Sequence, residues 1–154
     1  MKRILVVCTA NICRSPLVEG LLRARLAAHQ LADQVEVKST GVYARAGDKA
    51  SQYSVELLAA QGIDISRHLA APLSELDVQQ ADLILVMEER HRQSVFHFSP
   101  MDSYKALLLS ELANERFDLK DPYGQNKAAY NAMLATVEQI LDHGWPNLLA
   151  RLGL

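Results

Sequence analysis

A cysteine, an arginine and a serine lie close together near the start of the chain, in the segment CTANICRS at residues 8–15. The apolar run Ile4–Val7 precedes this segment and is typical of a buried parallel strand. Pro16 follows it, and proline is favoured in the first turn of a helix. A loop between a strand and a helix N-terminus points backbone N–H groups and the helix dipole at one spot. The pattern therefore predicts an anion site, and residues 8–15 are called the phosphate loop below.

Cys8 is the predicted reactive group of this loop. A helix N-terminus and a nearby arginine stabilise a thiolate, which is the nucleophilic form of cysteine. Arg14 can hold two oxygens of one phosphate in its planar guanidinium. Ser15 can donate its hydroxyl to the sulfur, and Asn11 can brace a tight loop and adopt a left-handed backbone. These residue types indicate hydrolysis of a phosphate monoester by a thiolate.

Such a reaction also needs a carboxylic acid, because the leaving alcohol must be protonated. Asp121 is the best candidate, since Pro122 stiffens the loop and holds the residue before it in extended backbone. Tyr123 then offers an aromatic wall for the substrate. In the predicted cycle Cys8 attacks phosphorus while Asp121 protonates the leaving group. Water then hydrolyses the cysteinyl-phosphate with Asp121 as base, and neither step needs a metal ion or another cofactor.

Composition predicts one folded domain over residues 1–154, because 49% of the residues are hydrophobic. The formal net charge of −2 gives no electrostatic reason to bind nucleic acid. No apolar stretch is as long as a membrane span, and the run before Cys8 is too short for a signal peptide. Cys8 and Cys13 are too few for a disulfide framework or a zinc site. We therefore expect a cytoplasmic protein that binds neither nucleic acid nor membranes.

Strand and helix patterns alternate along the chain. The predicted strands are Ile4–Val7, Val35–Lys38, Leu83–Met87 and Lys105–Leu109. The predicted helices run from Pro16 to about His29, Ser51 to about Gln61, Glu88 to about Val95 and Asn126 to about His143, with a short helical tail after Pro146. This alternation predicts an α/β three-layer sandwich, in which a four-stranded parallel sheet carries helices on both faces. Such sheets bind ligands beyond the carboxyl ends of their strands, where the phosphate loop lies.

Several segments together resemble the bacterial low-molecular-weight protein tyrosine phosphatases. The matching segments are residues 7–16 (VCTANICRSP), Ser39-Thr40-Gly41, Gly62-Ile63-Asp64 with Ser66 and His68, residues 81–88 (ADLILVME), and Asp121-Pro122-Tyr123. They span nearly the whole chain in the family's order and spacing. The resemblance implies Cys8 as nucleophile, Arg14 as phosphate binder and Asp121 as general acid and base. The expected substrate-binding residues are Thr9, Ala10, Asn11, Ile12, Cys13, Ser15 and Tyr123. The resemblance also implies a tyrosine-phosphorylated partner protein, such as a cognate tyrosine kinase.

The chain departs from the family pattern at two positions near the site. Ala10 stands where family members usually have glycine, and we expect it to adopt a negative φ. Gly124 stands where some relatives have a second tyrosine, so one aromatic wall is missing and substrate preference is left open.

Two side chains keep two interpretations each. Cys13 is either a resolving thiol that forms a disulfide with oxidised Cys8 or a small buried residue under the loop. Glu88 either braces the phosphate loop or favours a helix N-terminus by its charge. His68 is expected to bond backbone near a helix end. The residues expected on the solvated surface are Arg90, His91, Arg92 and His97.

Ile12 favours an aromatic substrate. A branched apolar side chain suits the ring of phosphotyrosine, whereas a small polar one would better admit the guanidinium of phosphoarginine. We therefore expect a protein-tyrosine-phosphatase, with a protein phosphoarginine phosphatase as the alternative. An arsenate reductase would need further thiols besides Cys8 and Cys13. A phosphoprotein-binding module without turnover would be expected to lack Cys8, Arg14 or Asp121.

Overall fold

The computed structural model describes residues 1–154. Four strands form one parallel sheet in the order β2–β1–β3–β4. The strands are β1 (Lys2–Cys8), β2 (Val35–Gly41), β3 (Leu83–Val86) and β4 (Ala106–Leu108). The α-helices are α1 (Arg14–Ala28), α2 (Gln52–Ala59), α3 (Glu75–Gln80), α4 (Glu89–Phe98) and α5 (Lys127–Leu152). Two short 3₁₀ helices, Pro100–Lys105 and Leu109–Ala113, flank β4.

Helices cover both faces of the sheet. Successive residues of β1 point to opposite faces, so Ile4 and Val6 join one core while Leu5 and Val7 join the other. The larger core holds 29 buried residues, with side chains from α1, α2 and α5. The smaller core holds 10, with side chains from α3 and α4. The predicted three-layer α/β sandwich with a four-stranded parallel sheet is confirmed.

The carboxyl ends of the three neighbouring strands β2, β1 and β3 meet at one edge of the sheet. Cys8 ends β1 and is paired with Gly41, which ends β2. Val86 ends β3 and is paired with Val7 of β1. The phosphate loop leaves this edge and enters α1 at Arg14. It therefore lies at the end of the sheet where ligands of parallel α/β folds bind.

Gly41 allows the phosphate loop to lie directly on the end of β2. A Cβ added at Gly41 would lie 2.5 Å from the carbonyl oxygen of Thr9 and 2.9 Å from the backbone nitrogen of Asn11. These are backbone atoms of the loop, so they cannot rotate away. The backbone N–H of Tyr43 also donates to the Thr9 carbonyl, at 2.9 Å. Close approach of two backbones therefore requires glycine here.

The first and last residues of the predicted strands differ from those observed. The second strand continues beyond Lys38 to Gly41, because β1 extends to Cys8 and the parallel ladder pairs the two to their ends. The fourth strand is shorter than predicted, Ala106–Leu108, since 3₁₀ turns take up its flanking residues. Apart from the end of α5, the bounds of the predicted helices shift by one to three residues.

The predicted break near Pro146 is wrong, because α5 is one helix from Lys127 to Leu152 with Pro146 inside it. A proline removes one backbone N–H and weakens a helix interior. Burial holds the following turns in place, since Leu148 is 0% exposed and Leu152 is 1% exposed. None of the helices combines the length and the apolar character needed to cross a membrane.

The helix α3 was not predicted; it is six residues long, and its one buried residue is Val78. Its start is a capping box: Ser74 Oγ accepts a hydrogen bond from the backbone N–H of Asp77 at 3.1 Å. The carboxylate of Asp77 accepts one from the Ser74 N–H, also at 3.1 Å. The S-x-x-D spacing was the available signal.

We expect the Gly41→Ala variant to weaken binding of inorganic phosphate, because the new Cβ must displace the backbone of the phosphate loop. Overpacking of this kind also lowers the free energy of unfolding by about 1–3 kcal/mol. Calorimetric phosphate titration and urea unfolding measure the two effects.

The matched control is Gly20→Ala in α1, whose added Cβ would meet side-chain atoms of Ile65, Leu58 and Ile63 and no backbone atom of the phosphate loop. This control is expected to lose stability and to keep phosphate affinity. Equal phosphate affinity in Gly41→Ala and the wild type would contradict the packing argument.

Candidate active site

Cys8 lies at the floor of the phosphate loop and is 2% exposed. Its Sγ accepts a hydrogen bond from the backbone N–H of Asn11 at 3.3 Å and lies 2.9 Å from Ser15 Oγ. Asn11 Nδ2 donates to the same Ser15 oxygen at 2.7 Å, which leaves the hydroxyl hydrogen of Ser15 available to the sulfur, its nearer acceptor, or to the Thr40 carbonyl at 3.5 Å. Both contacts stabilise a negatively charged sulfur.

Asn11 holds the shape of the loop. Its φ of 59° is left-handed, as the sequence allowed, whereas Ala10 has the expected negative φ. The side chain of Asn11 is fully buried; Nδ2 donates to Ser39 Oγ at 2.9 Å, and Oδ1 accepts from the Ala71 N–H at 2.9 Å. His68 Nε2 donates to the Asn11 carbonyl at 2.7 Å. The Asn11 side chain therefore faces the protein and braces the loop, as its residue type predicted, and substrate binding at Asn11 stays a prediction.

Arg14 is the first residue of α1, and only 1% of it is exposed. Its Nη1 donates to Glu88 Oε2 at 2.5 Å and to the carbonyl of Leu119 at 2.7 Å. Its Nη2 donates to Thr9 Oγ1 at 3.2 Å and lies 3.5 Å from Asp121 Oδ2. These contacts fix the guanidinium plane beside the phosphate loop.

Both of the roles predicted as alternatives for Glu88 are observed. It is the N-cap residue of α4, and its carboxylate also braces Arg14. Arg90 Nε donates to Glu88 Oε1 at 3.1 Å, and Arg90 Nη2 donates to Oε2 at 3.2 Å. Burial raises the pKa of Glu88, but hydrogen bonds from Arg90 and Arg14 outweigh burial and lower that pKa to about 2. The carboxylate is therefore charged near neutral pH and balances the buried guanidinium.

The prediction that His91 lies on the surface is wrong, since it is 0% exposed. Its Nδ1 accepts a hydrogen bond from the Glu88 N–H at 3.0 Å, so its Nε2 carries the hydrogen and donates to Thr9 Oγ1 at 2.9 Å. Burial and the charge of Arg14 lower the pKa of His91 to about 4. Arg90 Nη2 also donates to Thr9 Oγ1, at 2.9 Å. The Thr9 side chain thus joins the residues that hold Arg14, and substrate binding at Thr9 stays a prediction.

The other residues of the expected solvated face divide in two. His97 is exposed, as predicted. Arg92 forms ion pairs with Glu89 and Glu111, so it ties α4 to the 3₁₀ helix after β4.

The open side of the phosphate loop is a narrow pocket. Its lining residues are Cys8, Ala10, Ile12, Cys13, Arg14, Asp121 and Tyr123. Asp121 and Tyr123 stand at the rim, with the Asp121 side chain 41% exposed and Tyr123 67% exposed. Asp121 Oδ1 accepts the Tyr123 backbone N–H at 3.1 Å, which fixes the turn. The structure therefore brings the three predicted catalytic residues to one pocket, although they come from distant parts of the chain.

Cys13 lines the edge of the same pocket and is 4% exposed. Its Sγ lies 3.1 Å from Ser51 Oγ and 3.2 Å from Tyr130 Oη, and these two oxygens are 3.0 Å apart. Burial raises the pKa of the Cys13 thiol. Both cysteines are free thiols, and a disulfide between Cys8 and Cys13 stays a prediction. No group of three or more His, Cys, Asp or Glu side chains is arranged to hold a metal ion.

We expect the buried neutral His91 to make folding stability depend on pH. An unfolded histidine takes up a proton below a pKa of about 6.5, whereas His91 in the folded protein stays neutral down to about 4. The free energy of unfolding should therefore fall as pH drops from 6.5 to 4. His91→Asn should remove about 3 kcal/mol of this dependence.

Urea unfolding between pH 4 and pH 7 measures the slope. His97→Asn is the control, because His97 is exposed on the same helix. It is expected to keep the wild-type slope, and an unchanged slope in His91→Asn would show that His91 is not held neutral.

Known proteins resemble this chain over nearly its whole length. A family model described as "Low molecular weight phosphotyrosine protein phosphatase" matches residues 3–152. The chain is 38% identical over 150 residues to "Probable low molecular weight protein-tyrosine-phosphatase EpsP" of Ralstonia nicotianae, over 97% of this chain and 98% of that protein. It is 32% identical over 139 residues to a "Protein-arginine-phosphatase" of Bacillus subtilis, over 90% of this chain and 91% of that protein.

A solved structure is similar along nearly the same length. The low molecular weight protein tyrosine phosphatase from T. tengcongensis has a TM-score of 0.87 and 37% sequence identity, over 93% of this chain and 97% of that one. The chain therefore belongs to the low-molecular-weight protein tyrosine phosphatase family, whose members act on phosphorylated proteins.

Proposed function

We propose that this protein hydrolyses phosphotyrosine in protein substrates through a cysteinyl-phosphate intermediate. The observation that carries the proposal is the convergence of Cys8, Arg14 and Asp121 on one pocket. Cys8 is the nucleophile, Arg14 binds the phosphate oxygens, and Asp121 is the general acid and base. The whole chain, residues 1–154, serves as the phosphatase domain.

In the first step the Cys8 thiolate attacks phosphorus and the bond from phosphorus to the phenolic oxygen breaks. Arg14 and the backbone N–H groups of the loop hold the equatorial oxygens while charge redistributes over them. Asp121 gives its proton to the leaving phenolate. It is positioned for this at the rim of the pocket, on the side where the product must depart.

In the second step a water oxygen attacks phosphorus and the bond from sulfur to phosphorus breaks. Asp121, now a carboxylate, takes the proton of the water. The sulfur leaves as a thiolate, which the Ser15 hydroxyl and the Asn11 N–H stabilise at 2.9 Å and 3.3 Å. Inorganic phosphate then leaves the loop.

The walls of the pocket select the substrate. Ile12 and Tyr123 present apolar and aromatic surface to the entering group, which suits the ring of phosphotyrosine. Cys8 lies at the buried floor, so a short phosphoserine side chain does not reach it. The partner is a tyrosine-phosphorylated protein of the cytoplasm, such as a cognate tyrosine kinase.

Phosphoarginine is the second candidate substrate, because one relative of 32% identity is named a protein-arginine-phosphatase. The guanidinium of that substrate is polar along its whole edge, and Ile12 offers it no hydrogen bond. We therefore place phosphotyrosine first.

We expect Asp121→Asn to lower turnover of a phosphotyrosine peptide by about 10²-fold or more, since a general acid contributes about 10²–10⁴-fold. Loss should be smaller for para-nitrophenyl phosphate, whose leaving group needs little protonation. Assays in EDTA across pH 4–8 check both the acid and the independence from metal ions.

Cys8→Ser is the companion variant and should abolish turnover while it retains phosphate binding. Wild-type turnover in Cys8→Ser would refute the nucleophile assignment. No turnover in folded wild-type protein, with phosphopeptide binding intact, would favour the binding-module alternative.

We expect the wild type to hydrolyse a phosphotyrosine peptide faster than a phosphoarginine peptide of the same sequence. Ile12→Thr should shift the ratio of the two kcat/KM values toward phosphoarginine, because the threonine hydroxyl can hydrogen-bond the guanidinium and the isoleucine side chain cannot. Ile12→Val, which keeps the wall apolar, should leave the ratio near that of the wild type. Faster phosphoarginine hydrolysis by the wild type would reverse the ranking.

A further inference from the structure

A second cavity of about 550 Å³ lies beside the catalytic pocket, and we call it the side groove. Ile12 and Tyr123 line both the pocket and the side groove, so the two spaces are neighbours that share walls. The side groove is also lined by Ser51, Gln52, Tyr53, Gly124, Gln125 and Tyr130. Its volume falls within the roughly 300–1,000 Å³ typical of ligand sites.

The walls of the side groove are fixed to the phosphate loop. The Ser51 backbone N–H donates to the carbonyl of Ile12 at 2.8 Å. Ser51 Oγ lies 3.0 Å from Tyr130 Oη, and the rings of Tyr53 and Tyr130 meet edge to face with centroids 5.3 Å apart. The side groove is therefore preformed, and a ligand need not order it.

Gly124 leaves the side groove open on the side of the loop that carries Asp121. A Cβ added there would have no heavy atom within 4 Å, so the space beside Gly124 is empty.

The uncharged, partly aromatic lining of the side groove favours an aromatic occupant. None of the residues that line the side groove carries a charge. A lysine or aspartate side chain buried there would find no counter-charge, which is costly. Tyr53 and Tyr123 offer exposed rings, against which another aromatic ring packs well, while the buried Tyr130 supports Tyr53 from below.

We propose that the side groove binds an aromatic side chain that lies next to the phosphotyrosine in the substrate chain. The proposal rests on the proposed function, because one peptide must place its phosphotyrosine in the pocket and its neighbour in the groove. The shared walls, Ile12 and Tyr123, set the two side chains next to each other. The protein would thus favour phosphotyrosine sites with a phenylalanine, tyrosine or tryptophan nearby.

The test uses phosphotyrosine peptides that differ at one residue, with Phe, Ala, Lys or Asp at each of the two positions on either side. For the wild type, Phe at one of these positions should raise kcat/KM over Ala by roughly two- to tenfold. Tyr53→Ala should bring this ratio close to one. Tyr53→Phe keeps the ring and should keep the ratio, and so should Tyr104→Ala, whose exposed ring lies outside both cavities.

Binding of the same peptides to Cys8→Ser, measured by calorimetry, gives a readout without turnover. A Phe preference in binding with no hydrolysis by the wild type would reject the proposed function and keep the groove. Equal rates for Phe and Ala peptides at every position, a preference for charged neighbours, or a Phe preference that survives Tyr53→Ala would each overturn the groove.

Discussion

The buried positive charge of Arg14 is the constraint on which the rest of the site depends. A buried ion without partners is destabilising by several kcal/mol, so the fold must bring acceptors to it. Those acceptors are Thr9 in the phosphate loop, Glu88 after β3 and the Leu119 carbonyl shortly before Asp121. Each acceptor lies on a segment that also forms the site. The hydrogen bonds of Arg14 therefore hold the phosphate loop, Glu88 and the segment before Asp121 together.

The side chains of the phosphate loop point in two directions, and the two groups have different roles. Thr9, Asn11 and Ser15 turn toward the protein and hold the backbone, whereas Ala10 and Ile12 face the pocket. In the proposed reaction, phosphate is therefore bound mainly by backbone N–H groups and Arg14, which no substitution at the pocket-facing positions removes. Specificity for the rest of the substrate is left to the walls, and these can change without loss of the chemistry.

The floor of the site was predictable from sequence because residues 8–16 are contiguous and their geometry is local. Asp121 was predictable from its proline and from the family resemblance. His91 was missed, since polar residues on a helix usually face solvent. The signal was its place three residues after Glu88, where its Nδ1 caps the Glu88 N–H at 3.0 Å. The helix end predicted near Pro146 was wrong because the burial of Leu148 outweighs the local tendency of proline to end a helix.

The segment before Asp121 is held at several points. The Leu119 N–H donates to the Met87 carbonyl at 2.8 Å, and Asp118 accepts from the Glu89 N–H at 2.9 Å. With Arg14 bonded to the Leu119 carbonyl, this segment is anchored to the residue after β3 and to the first residues of α1 and α4. Enzymes that close a lid over their substrate spend part of each turnover on that motion. In the proposed reaction the acid already stands beside the pocket, so no closing loop is needed to bring it there.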